Sequence, residues 1–597
     1  MTSDPFVHLH VASGYSLKHG ASLPAALVER AAGHGMDTLA LTDRDGVYGA
    51  VRFAKACSAA GLRPVLGADL AVHPSGVLPP LSGSAQGARG ARSGPRTPAR
   101  GGAQVDLRLP RVTVLAQGRA GWAALCRLVS ATHLAGERGE PVTTRDLVVE
   151  HAAAGSLVVL LGPGSEVGSA LARRRPDLAR AVLETWREVL GTGDLVVEVV
   201  SHRAAGHGPG TTAHAARMLG LAGEAGVPAV LTNAVRYAER RDAPVADVLD
   251  AARRLVALDV RHVDRANAEG HLKSGKEMAE VADDVVRAAG LGTAARQRLL
   301  AATRRVAERC VLDPRADLGI GEVHFPEFEV LGGRGPHRSA EGALRERCEV
   351  GLSTRYGPRP GREVLDRLEA ELGTVRHLGY PSYFLTVADV CDLVRDLGVR
   401  VAARGSGAGS LVCYLLGISG VDPIRHGLLM ERFLSPLRQA LPDVDVDVES
   451  ARREEVYEAI LGRFGTERVA CVSMMDTYRV RHAIRDVGAA LGMPLGEVDA
   501  VAKAFPHIRA RDVRPALAEL PELRAGHLSS SRLDLLFSLV ERLDGLPRHI
   551  ALHPCGVLLS DATLLDRTPV ERSFAGFPMS QFDKDDVEDL GLLKLDV

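Results

Sequence analysis

Short apolar runs alternate with amphipathic stretches along the first third of the chain. Residues 7–11 predict a strand, 23–34 a helix with Ser22 as its N-cap, 38–42 a second strand and 47–60 a second helix. The pattern stops at Pro74, where Gly, Pro, Ser and Arg dominate up to Gly102, and a surface insertion over 74–104 is expected. Apolar runs return at 111–116, 157–161, 195–200 and 229–232 with helical spacing between them. Strands alternating with helices predict an α/β layer or barrel. Residues 245–310 read as mainly helical, followed by a Gly-rich joint at 331–339 and helices at 340–356 and 364–378. Segment 449–550 is again helix-rich, with many arginines, and 553–597 returns to strand-like runs.

A chain of 597 residues exceeds one hydrophobic core and implies about three or four domains. Apolar residues make up 46% and charged residues 25%, the balance of a globular protein. The net charge of −1 confines any nucleic-acid-binding surface to a local patch. There is no basic start leading into an apolar run, and no stretch approaches the roughly 18 apolar residues of a membrane span, so a cytoplasmic location is expected. The eight scattered cysteines lack zinc-type spacing and fit a reducing compartment.

The strongest chemical signal is Leu441-Pro442-Asp443-Val444-Asp445-Val446-Asp447-Val448. Side chains alternate along a strand, so Asp443, Asp445 and Asp447 share one face and the valines the other. Acids about 7 Å apart repel unless a cation lies among them, and oxygen ligands suit Mg²⁺. Two carboxylates at i and i+2 can bridge two such ions, the arrangement needed for in-line phosphoryl transfer. Upstream, Ala403-Arg404-Gly405-Ser406-Gly407-Ala408-Gly409-Ser410 leads into a short helical run. Small residues there admit a phosphate to the backbone amides, the hydroxyls of Ser406 and Ser410 add donors, and Arg404 adds a guanidinium. It is not a Walker loop, since no Lys-Ser/Thr pair ends it. At the end of the chain, Leu593-Lys594-Leu595-Asp596-Val597 reads as a strand that could bring Asp596 to the other acids.

Together these motifs resemble the bacterial replicative polymerase alpha subunit family (the C family, DNA polymerase III alpha). The resemblance also rests on GYPSYFL from Gly379, Val421-Asp422-Pro423, GLLMERFL from Gly427, IRDVG from Ile484, HPCG from His553 and QFDK from Gln581. It implies an α/β multidomain fold: a PHP-type distorted β/α barrel over 1–275, a polymerase-beta-like nucleotidyltransferase palm over 276–474 and 553–597, and an inserted helical thumb over 475–552. It further implies that Asp443, Asp445 and Asp596 hold two Mg²⁺, with Asp447 auxiliary. Arg404, Gly405, Ser406, Gly409 and Ser410 would hold the triphosphate of an incoming dNTP, and primer-template DNA would be the partner. The stretch after the acids, from Glu449 to Val456, resembles the error-prone, translesion subclass (ImuC-like) more than the main replicase. The fingers, clamp-binding and OB domains of the family are not in this sequence. A sliding clamp or other polymerase or mutasome subunits would therefore engage only through parts supplied elsewhere.

The PHP motif is altered. His8, His10, Asp43, Asp69 and His202 remain, but Ala12 replaces a histidine, Thr-Asp-His becomes Thr42-Asp43-Arg44, and a later histidine position is Arg236. Guanidinium stays protonated and cannot ligate metal. A structural or partner-binding role is expected there, with the PHP metals lost. In the thumb segment, Arg479, Arg481 and Arg485 with Lys503 predict a basic face for phosphate contact. Two rival functions remain: a PHP-domain metal-dependent phosphoesterase or 3′–5′ exonuclease, and a non-catalytic scaffold.

Overall fold

The first six strands arise where the alternation places them: β1 (Thr38–Arg44), β2 (Arg63–Ala71), β3 (Arg111–Ala116), β4 (Leu157–Leu161), β5 (Leu195–Val200) and β6 (Ala229–Thr232). They form one sheet in chain order. β1–β2 and β4–β5–β6 are parallel, and β3 is antiparallel to both neighbours. The computed structural model describes residues 4–79, 109–136, 138–152, 155–190, 193–260, 263–331, 339–434, 442, 444–519 and 531–597. Most of the expected 74–104 insertion and the centre of the 331–339 joint lie outside these residues.

Residues 7–12 run extended between the two ends of this sheet. On one side the Ala40 and Thr42 amides donate to His8 and Val11 carbonyls at 3.0 and 2.8 Å; on the other the Ala12 amide donates to Val235 at 2.8 Å. The segment is strand-like without being a regular strand, because the Val11 amide donates to the Thr42 hydroxyl at 2.9 Å instead of to a backbone carbonyl. The helix after it spans Pro24–Gly33 and starts on Pro24, whose missing amide hydrogen suits that position. Ser22 is not its cap; the Ser22 hydroxyl accepts from the Ala238 amide at 2.9 Å.

The chain divides into two compact units, Met1–Leu318 with Met475–Ala551, and Gly319–Met474 with Leu552–Val597. This shifts the expected boundary at 275. Helices Gly275–Ala288 and Thr293–Cys310 belong to the first unit. Val306, Ala307 and Cys310 pack with Val7, Leu9 and Val230 in the sheet core, and the Thr303 hydroxyl accepts from the Leu231 amide. Helical periodicity fixes which face is apolar but not which core it joins. The helices at 475–551 also group with the first unit. Ile484 and Val487 of helix Val480–Ala490, with Leu536 and Val540 of helix Ser531–Arg542, share a core with Ala246 and Leu249 of helix Ala243–Arg254.

The second unit is built on a seven-stranded sheet, to which β9 (Val469–Thr477) and β10 (Pro547–Leu559) also contribute. Its other strands are β7 (Val401–Arg404), β8 (Asp445–Val448), β11 (Val570–Arg572), β12 (Pro578–Asp583) and β13 (Leu593–Asp596). The order is β11-β12-β9-β10-β13-β8-β7. Helices Ala340–Tyr356, Arg362–His377, Pro381–Asp396 and Arg453–Phe464 contribute buried Leu344, Leu372, Phe384 and Ile460 to its core. None of the described helices is long and apolar enough to cross a membrane.

Candidate metal and nucleotide site

β8 is held by its apolar face. Val444 and Val446 are buried, and the Pro442 carbonyl just before it accepts from the Tyr383 hydroxyl at 2.8 Å. That burial fixes register, since a slip of one residue would turn the valines outward. Asp445 is left half-buried and Asp447 exposed. β13 repeats the logic: Leu593 and Leu595 are buried, so Lys594 and Asp596 stand on the other face.

The two strands pair in parallel with Asp596 directly opposite Asp445. Neighbouring strands lie about 4.8 Å apart and opposite residues share a face, so these two acids stand side by side. β7 brings Arg404 opposite Asp445 on the other flank, and β10 brings Gly556 opposite Asp596. Asp443, expected as the third acid, lies outside the described residues.

Asp596 accepts from Lys594 Nζ at 2.7 Å through Oδ2, while its Oδ1 is buried without a hydrogen-bond partner among the described residues. A buried carboxylate oxygen with no donor is costly. Together with an adjacent second acid, this arrangement fits a divalent cation. Sequence reasoning missed His553 of β10 as a site neighbour. Burial lowers its pKa and Asp596 opposes that shift; its Nδ1 accepts from the Cys555 amide at 3.3 Å. Its position in the HPCG motif was the available signal.

The Gly/Ser segment forms a 3₁₀ turn over Gly405–Gly409 and then a five-residue helix, Leu411–Leu415. Arg404, Gly405 and Ser406 are exposed. Gly405 has φ +77°, and a Cβ there would sit 3.6 Å from Asp445 Oδ2, so this glycine permits the turn beside the acids. Arg404 Nε is 2.9 Å from Asp447 Oδ1, an exposed ion pair. The remaining residues of the segment depart from expectation. Gly409 is buried, and a Cβ there would lie 2.6 Å from the Leu429 carbonyl oxygen; packing explains that glycine. Ser410 is also buried. Its hydroxyl caps the helix by accepting from the Cys413 amide at 3.2 Å and donates to Glu371 Oε2 at 2.9 Å. The Leu411 and Val412 amides donate to Glu371 as well, so the helix start that looked free for a phosphate already holds a carboxylate.

In the first unit, the residues of the altered PHP motif gather among arginines. Asp69 receives Arg111 Nε at 2.7 Å and lies 3.6 Å from Arg44. Arg111 also reaches Asp45 at 2.8 Å. Arg236 is buried and binds both oxygens of Asp250 at 2.8 and 3.1 Å, plus the His19 carbonyl. Asp43 accepts from the Ser13 amide and from the Ser13 and Ser16 hydroxyls, and burial raises its pKa to about 6. His8 and His202 each donate through Nε2 to a carbonyl, of Lys273 and Asn233 respectively, at 2.8 Å, and burial lowers both pKa values to about 4. Burial also acts against a charged His10, but Glu198 at 2.7 Å outweighs it and raises the pKa. Among the described residues one group, His19, Asp250 and Asp264, has ligand atoms within 4.8 Å of one another. Sequence reasoning missed it. Its acids are engaged by Arg236, Arg253 and Arg254.

Of the four basic residues expected to form a face within 475–552, three are internally paired. Arg485 and Lys503 both bind Asp499, at 2.8 and 2.6 Å, and Arg481 donates to the Phe505 carbonyl and contacts His507. Arg479 is exposed at the start of helix Val480–Ala490.

Comparisons with known proteins match two stretches of the chain to known families. Residues 8–202 match the PHP domain family, and residues 342–597 match the family described as the bacterial DNA polymerase III alpha NTPase domain. An error-prone DNA polymerase of Symbiobacterium thermophilum is 34% identical across 99% of this chain and 51% of its own length. One from Mycobacterium bovis is 34% identical across 100% of this chain and 49% of its own. The chain thus spans about half the length of these curated relatives. Among solved structures, an amidohydrolase from Chromobacterium violaceum covers 38% of this chain and 87% of its own, at 15% identity and a TM-score of 0.22.

Proposed function

We propose that the chain, which matches the bacterial DNA polymerase III alpha family over residues 342–597 and the PHP family over 8–202, carries the catalytic centre of a DNA-directed DNA polymerase. The reaction is nucleotidyl transfer from a dNTP to the 3′-hydroxyl of a primer paired with a template, in replication or error-prone repair synthesis. The second unit is its palm, and 475–551 its thumb. The observation that carries this reading is the pairing of Asp596 with Asp445, with one buried oxygen of Asp596 lacking a donor.

Asp445 and Asp596, with Asp443, are the residues that would hold two Mg²⁺. Those ions, when bound, would lower the pKa of the primer hydroxyl and offset charge on the departing pyrophosphate. Lys594 holds Asp596 in one orientation through Oδ2 and leaves Oδ1 for a cation. Arg404 is tied to exposed Asp447, a weak pairing that a triphosphate can displace. The turn at Gly405–Ser406 then places backbone next to Asp445 for the phosphates. No side-chain base is assigned. The arginine-filled PHP site is read as structural. Phosphate contacts from the thumb reduce to Arg479, with Arg481, Arg485 and Lys503 available only after their present partners are released.

The test is incorporation of a nucleotide by a form that contains the rest of the polymerase. Asp445→Asn should abolish incorporation and leave primer-template binding intact. Turnover at the unmodified rate would refute the assignment of the acids.

A further inference from the structure

We infer that Glu371 is a positioning residue for the nucleotide-binding turn: a buried carboxylate that fixes residues 409–412 from behind and confines phosphate contact to Arg404–Ala408. The inference rests on the proposed nucleotide site and narrows it. Glu371 is 1% exposed and lies inside helix Arg362–His377, a stretch that no motif in the sequence singled out. Its Oε2 accepts from the Ser410 hydroxyl at 2.9 Å and the Val412 amide at 3.1 Å; its Oε1 accepts from the Leu411 amide at 3.0 Å and Arg367 Nε at 2.7 Å. Arg367 extends the clamp by donating to the Gly409 carbonyl at 3.1 Å.

The charges explain why such a group is built there. A carboxylate buried without donors would be unstable, and here four donors surround it. The contacts converge on consecutive residues Gly409 to Val412, immediately behind the exposed turn. A turn rich in glycine has many backbone states in solution, and ordering it on binding would weaken affinity. Tying its far end to a helix removes much of that freedom beforehand. The same carboxylate occupies the amides of helix Leu411–Leu415, so a triphosphate is left with the preceding exposed residues beside Asp445.

The experiment uses the full chain and a fluorescent dATP analogue titrated in Mg²⁺, with thermal melting and hydrogen exchange measured alongside. Glu371→Gln keeps the volume but loses the charge, and should weaken nucleotide binding by about ten-fold while speeding exchange at residues 405–412. Arg367→Ala, at a partly exposed position, should act in the same direction by about three-fold and guards against a Glu371 variant that fails to fold. A residue with only a structural role would lower the melting temperature of its unit and leave nucleotide affinity of the folded protein unchanged. Binding weakened by Arg404→Ala but not by Glu371→Gln or Arg367→Ala overturns the inference and leaves the nucleotide site standing. Failure of the unmodified chain to bind the analogue overturns both.

Discussion

The two units each gather carboxylates, and they differ in how the charge is met. In the first unit Asp45, Asp69, Asp250 and Asp264 are met by Arg111, Arg44, Arg236, Arg253 and Arg254. The acids there have their positive charge supplied by the chain itself. In the second unit Asp445 and Asp596 stand side by side with one lysine bound to one oxygen, and a second oxygen is buried without a donor. Acid clusters alone do not mark a metal centre; what matters is whether the protein has already supplied the counter-charge. Guanidinium does so permanently, because it does not lose its proton in proteins.

The largest effect that bears on this contrast concerns Asp596. Mn²⁺ bound to the full chain, followed by electron paramagnetic resonance, should be weakened at least about 100-fold by Asp596→Asn, whereas Asp250→Asn in the first unit should leave it unchanged. Equal loss from both substitutions would erase the distinction between the units. Next in size is the stability of the arginine-filled site. Arg236→Met leaves Arg253 as the one guanidinium on Asp250 among the described residues, and urea unfolding should show a loss of about 3 kcal/mol. A variant as stable as the unmodified chain would mean that Arg236 is not the needed counter-charge.

A third measure is pH. His8 is fully buried and its pKa falls to about 4, so the unfolded chain takes up a proton near pH 6.5 before the folded one does. Its contribution to stability is therefore present above pH 6.5 and is lost as pH falls toward 4, by about 2–3 kcal/mol. Asp43 and His10 run the other way, because their raised pKa values favour protonation in the folded state. Comparing the melting temperature of His8→Gln with that of the unmodified chain between pH 7 and 4.5 isolates the His8 part; identical slopes would remove it. The smallest expected change in stability is at Arg404. Its pairing with Asp447 is exposed, so Arg404→Ala should shift unfolding by no more than about 0.5 kcal/mol while weakening nucleotide binding. A large loss of stability would mark Arg404 as structural and place it with the arginines of the first unit.

The sequence by itself determined the parts governed by local pattern. The strands at 111–116, 157–161, 195–200 and 229–232 appear at the bounds that their apolar runs predict, because a buried strand must be apolar over its own length. The alternation of Asp and Val near 445 and of Lys, Asp and Leu near 596 set which side chains share a face. Tertiary structure alone decided which distant groups meet. It brought Asp596 opposite Asp445, closed Arg236 onto Asp250, turned Ser410 inward to Glu371, paired Arg485 and Lys503 with Asp499, and gave the helices after residue 275 to the first core. Periodicity reports the face that a segment buries, but it carries no information on the partner that covers that face. For charged groups the partner determines whether a side chain is a ligand, a clamp or a counter-ion.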